Sequence, residues 1–184
     1  MSRYVAPAQG IANLPGAAAA ITSSLEKRGR SGLTPIVPVL EGVTAYLRKW
    51  ATDHPDRRPI IVLATDGVPD TSCLNDRQGE GVVGGLPNTL ANAVAVARAA
   101  ARGTPSLSVF VVGVGKQLTA LNDIAAAGGT GRAVLVDAAK DPEKSFLEAL
   151  ADIRRRAVFC ELDIPAENRP RIDFERVKRA AELQ

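Results

Sequence analysis

Apolar residues fall in short runs at Ile60–Ala64, Leu107–Val114 and Ala133–Val136, the first of them unbroken. Runs without period-two alternation predict strands buried on both faces, as in the middle of a parallel sheet. Between them, apolar positions recur at three- and four-residue steps, the mark of helices with one buried stripe. Residues 15–28 read as a helix with Ala18, Ile21 and Leu25 on one face and Gly29 as its stop. A second helix starts at Thr34-Pro35, threonine as cap and proline at the first helical position, and buries Ile36, Leu40, Val43, Leu47 and Trp50. A third runs from Asn88 or Thr89 to Arg102 with Leu90, Val94, Ala97 and Ala101 facing inward. Leu118, Leu121 and Ile124 mark a short fourth helix, ended by Gly128-Gly129. The fifth begins at Asp141-Pro142 and places Phe146, Leu147, Leu150 and Ile153 inside. Val158, Cys160, Leu162 and Ile164 alternate with Phe159, Glu161 and Asp163, which predicts a half-exposed edge strand. A short helix is expected at 173–183. Helices alternating with strands indicate a doubly wound, Rossmann-like α/β fold with a mostly parallel sheet, because parallel strands need such crossovers.

Composition narrows the functional classes. At 184 residues the chain is of single-domain size, and its apolar content of 46% is ordinary for a globular protein. Aromatic residues make up only 4%, so the core must be built from Ala, Val, Leu and Ile. The formal net charge of +3 is mild, and basic residues alternate with acidic ones, which gives no footprint for nucleic acid. No apolar stretch is long enough to span a membrane, and Met1–Gln9 lacks the charged and apolar regions of a signal peptide. Two cysteines, Cys73 and Cys160, and one histidine, His54, supply neither a disulfide scaffold nor a zinc motif.

Several enzyme signatures fail residue by residue. Gly113-Val114-Gly115-Lys116-Gln117 suggests a phosphate loop, but Phe110 stands where its first glycine belongs and Gln117 replaces the serine or threonine. Leu118 occupies the third glycine position of a dinucleotide fingerprint, so the segment reads as a tight strand-to-helix turn. There is no Gly-x-Ser-x-Gly elbow. His54, in Asp53-His54-Pro55-Asp56, reads as a helix-end residue rather than a catalytic base, and Arg154-Arg155-Arg156 as cations favoured at a helix end. What remains is Thr65-Asp66-Gly67 at the end of the first apolar run. Ligand sites of open α/β sheets lie beyond the carboxyl ends of the strands, and Asp66 sits at such an end. Thr34 and Asp66 are a hydroxyl and a carboxylate, hard oxygen ligands suited to Mg²⁺ or Mn²⁺. The glycine-rich segment 70–88 is long for a connection, and long ordered loops are often functional.

Gly32-Leu33-Thr34-Pro35 followed by Ala64-Thr65-Asp66-Gly67-Val68-Pro69 resembles the von Willebrand factor type A (VWA) domain, matching the threonine and aspartate loops of its metal-ion-dependent adhesion site (MIDAS). Phe110–Gly115, the turn Ile124–Gly131 and the helix 142–156 also look like that family, so the likeness spans about residues 30–156. The flavour is that of secreted or lipid-anchored bacterial members, which also carry a cysteine after the aspartate loop and a Cys-Glu near the end. The resemblance implies a non-catalytic protein-binding module in which a divalent cation accepts an acidic side chain from the partner. One departure is large. The family's first strand ends in Asp-x-Ser-x-Ser and supplies three of the five metal-site side chains, and no such motif occurs here. In the family that strand lies beside the one assigned to 60–64. The expectation is therefore a lead-in at 1–29, an incomplete VWA-like domain at 30–164, truncated at its N-terminal side, and a charged tail at 165–184. Met1 is expected to be an internal start or the gene a truncated copy, with an extracytoplasmic parent protein. Thr34 and Asp66 are the surviving ligands, Mg²⁺ or Mn²⁺ binding is expected weak or lost, and the bared strand edge at 60–64 is expected to favour self-association. Two other classes stand beside this one: a metal-dependent α/β enzyme acting on a phosphorylated or nucleotide ligand, and a structural fragment that pairs with a missing piece.

Overall fold

The computed structural model describes residues 4, 6–27, 34–70, 86–115, 118–137, 139 and 141–157. Cys73, Cys160, the alternating segment 158–164 and the expected tail helix lie outside the described residues.

Three parallel strands lie in the order β1 (Ile61–Thr65), β2 (Val109–Val114), β3 (Val134–Val136). The register pairs Ile61 with Val109, Leu63 with Val111, Val112 with Val134 and Val114 with Val136. Helices α2 (Ile36–Asp53), α3 (Leu90–Arg102) and α4 (Leu121–Ala127) cover one face of this sheet, and α5 (Pro142–Ala157) covers the other. This is the doubly wound, Rossmann-like arrangement that the alternation of elements implies. On the first face Ile61, Leu63, Val109 and Val111 meet Leu40 and Leu47 of α2, Ala93 and Ala97 of α3, and Leu121 of α4. On the second, Phe110, Val112 and Val136 pack under Ala149 and Ile153 of α5.

Strand β2 is buried throughout its first five residues, as a central strand must be. Strand β1 is not. Ile61 and Leu63 are buried, but Val62 is 39% exposed and Ala64 is exposed. The sequence expectation of burial on both faces is therefore corrected: α5 lies over β2 and β3, and no described element covers this face of β1.

Four local expectations also change. Helix α1 (Ala18–Glu26) forms but buries nothing, and Leu25 is 68% exposed. In α3 the buried positions are Ala93, Ala97 and Ala100, a stripe displaced from the predicted one, with Leu90 and Val94 only partly buried against the core. In α5, Leu147 points to solvent and Ala149 takes its place inside. Helix α2 starts at Ile36 with Pro35 at the cap position, and Thr34 makes no side-chain cap. The role of Thr34 lies elsewhere.

Candidate metal-binding rim

Strand β1 ends in Thr65, and the chain turns at once. The Thr65 hydroxyl donates to the carbonyl of Gly67 at 2.9 Å and accepts from the Gly67 N–H at 3.2 Å. That pair of contacts fixes a tight turn with Asp66 at its outer corner, exposed to solvent. A carboxylate there keeps its hydration and can reach a cation.

Thr34 meets this turn from the start of α2. A Cβ added to Gly67 would lie 2.9 Å from Thr34 Oγ1. A side chain there would push the Thr34 hydroxyl aside, so glycine is what lets that hydroxyl sit against the turn. The threonine hydroxyl and the Asp66-Gly67 turn, distant in sequence, thus share the carboxyl rim of the sheet.

Asn88, fully buried, ties these loops together. Its Oδ1 accepts from the N–H of Val37 at 2.9 Å. Its Nδ2 donates to the carbonyl of Thr34 and to that of Asp70, each at 2.8 Å. The first bond satisfies one of the orphan donors at the N-terminus of α2, the task that Thr34 leaves undone. The other two clamp the threonine loop to the segment that follows the aspartate turn. Thr89, next in the chain, caps α3 by accepting from the N–H of Asn92 at 3.2 Å. Sequence reasoning treats Asn88 and Thr89 as rival caps for one helix. They divide the work: threonine caps its own helix and asparagine caps α2 across the rim.

The donor set is thin. Among the described residues no group of three or more His, Cys, Asp or Glu side chains could hold a metal ion. Thr34 Oγ1 and the Asp66 carboxylate are two oxygen donors, which fit a hard cation that keeps most of its water but cannot enclose one. Thr65 is engaged within its own turn.

The other sequence candidates fall away from the rim. His54 is the C-cap residue of α2, stacked on Trp50 at 4.1 Å, with Nδ1 2.8 Å from the Trp50 carbonyl. Arg156 lies 5.3 Å over the ring of Phe110, reaches the carbonyl of Thr130 and pairs with Asp152 at 3.4 Å, which leaves it committed to packing. Gly115 closes β2 with a φ of 136°, a conformation that favours glycine, and Lys116 and Gln117 of the expected tight turn lie outside the described residues. No helix among the described residues is long and apolar enough to cross a membrane. No family model, no curated protein and no solved structure matches this chain.

Proposed function

We propose that the chain is a non-catalytic, VWA-like protein-binding module. Its rim holds a partial MIDAS-type site formed by Thr34 and Asp66, and its partner presents an acidic side chain. The observation that carries this reading is the approach of the Thr34 hydroxyl to Gly67, held by the buried Asn88. Two loops distant in sequence are brought together at the carboxyl end of a parallel strand, and each contributes one hard oxygen donor. Mg²⁺ bound there keeps most of its waters, and a carboxylate from a partner can replace one of them. With only two protein donors the ion is weakly held on its own, so partner and metal bind together more tightly than either does alone.

Titration calorimetry of the full chain with Mg²⁺ and with Mn²⁺ tests this. Affinity in the millimolar range, abolished by Asp66→Ala and weakened by Thr34→Ala, is the expected result. Binding that ignores Asp66 overturns the site. Turnover of phosphate esters that depends on Asp66 overturns the non-catalytic reading.

A further inference from the structure

The outer edge of β1 carries the inference. The Ile61 N–H donates to the Ser108 carbonyl at 2.9 Å, toward β2. The alternation of a parallel ladder therefore turns the N–H and C=O groups of Val62 and Ala64 to the opposite edge. No described strand pairs with that edge, and both side chains are exposed on the face where α5 covers the neighbouring Phe110 and Val112. An apolar edge of this kind is a template for one more strand.

We infer that residues 158–164 of this same chain fill it, as a fourth strand parallel to β1. Three observations select this occupant. First, α5 ends at the right place: Ala157 lines a cleft of about 350 Å³ together with Pro59, Ile60 and Ser108, at the amino end of β1. Helix α5 thus ends level with the beginning of the edge. Second, the handedness fits. The crossovers β1–α3–β2 and β2–α4–β3 use one face and progress from β1 to β3. A crossover of the same hand on the opposite face, where α5 lies, must progress the other way, toward β1 and beyond. Third, the segment has the right length and pattern. Val158, Cys160, Leu162 and Ile164 alternate with Phe159, Glu161 and Asp163, and Pro165 stops the ladder. Seven residues at about 3.3 Å each outreach a five-residue neighbour. The lead-in is the weaker candidate, because residues 6–17 hold no strand and Tyr4 packs against Gly42 of α2.

Hydrogen exchange by NMR on the full chain, followed at several protein concentrations, tests the assignment. The amides of Val62 and Ala64 are expected to exchange about 100-fold or more slower than an open edge allows, independent of concentration. Cys160→Pro and Glu161→Pro remove successive N–H groups that point to opposite sides of a strand. One of them is expected to release the two β1 amides while the buried amides of β2 stay protected. A second measurement does not rely on destabilisation. A nitroxide on Glu161→Cys, in a chain with Cys73→Ser and Cys160→Ser, is expected to broaden the Val62 and Ala64 resonances. Fast exchange at Val62 and Ala64 in the full chain overturns the proposal. Protection that grows with concentration overturns it in favour of a second copy on the edge. Absence of broadening overturns it whatever the exchange shows.

Discussion

Asn88 carries more of the rim than either proposed ligand. It is a polar side chain with no exposure, bonded to α2, to the threonine loop and to the segment after the aspartate turn. Truncation leaves the Val37 N–H without its acceptor and two carbonyls without their donor. Each buried group left unsatisfied costs about 1–3 kcal/mol. Asn88→Ala is therefore expected to lower stability by about 2 kcal/mol or more in urea unfolding, and to abolish any Mg²⁺ response. Asn88→Asp keeps the acceptor for Val37 but turns a second acceptor oxygen toward the carbonyls of Thr34 and Asp70, so it is expected to fare no better despite its shape. Gly67→Ala acts differently. Its new Cβ meets the Thr34 hydroxyl, which can rotate aside, so stability is expected to change by less than about 1 kcal/mol. The hydroxyl leaves the rim, however, and metal affinity is expected to fall. An unchanged affinity in Gly67→Ala would remove Thr34 from the site.

At the scale of elements, the sequence reveals the type of each segment better than the side it buries. The runs at 60–64, 107–114 and 133–136 are strands to within two residues, since a short apolar run of this length between helical segments has few other uses. The stripe of α3 is displaced, because Leu90 and Val94 outrank alanine in any hydropathy reading, yet both lie only partly buried. Ala93, Ala97 and Ala100 take the buried positions and leave the larger side chains at the margin of the core. The aspartate turn is legible from its place at a strand end. The clamp is not, since a buried asparagine bonded to three distant segments leaves no periodic trace. The join of α4 to β2 depends on a glycine for the same steric reason. A Cβ on Gly128 would lie 2.5 Å from Val109 Cβ and 2.8 Å from its carbonyl oxygen, while the Gly128 carbonyl accepts from the Val109 N–H at 2.9 Å. Backbone cannot rotate aside as a hydroxyl can. Gly128→Ala is expected to cost about 1–3 kcal/mol, read as a lowered melting temperature.

At the scale of the whole molecule the two sides of the sheet are unequal. The first face buries side chains from α2, α3 and α4 together, including Leu40, Leu47, Leu121 and Ile124. Among the described residues the second is closed by α5 alone, through Ala149 and Ile153, with Phe146 and Ala157 partly buried. Free energy of local opening follows buried apolar contact, so regions with little of it open first. Helix α5 is also strongly charged along its outer side, and its pairs of Asp152 with Arg155 and Arg156 are at least partly exposed to solvent. Such pairs contribute little, about 0–1 kcal/mol. What holds its last turn is Arg156, which stacks on Phe110 and bonds to the carbonyl of Thr130, itself a buried residue whose hydroxyl donates to Val109 and Ala125. The molecule is thus expected to open in two steps. In native-state hydrogen exchange under rising denaturant, the amides of α5 should lose protection before those of α2 and α3. Arg156→Ala should lower the opening energy of α5 by about 0.5–2 kcal/mol through the lost cation–π and carbonyl contacts while leaving α2 and α3 unmoved. Exchange of all three helices at one common free energy would show instead that the thin face is as cooperative as the thick one. The strand inferred at the β1 edge would then be a natural source of that extra coupling, because it follows α5 directly in the chain.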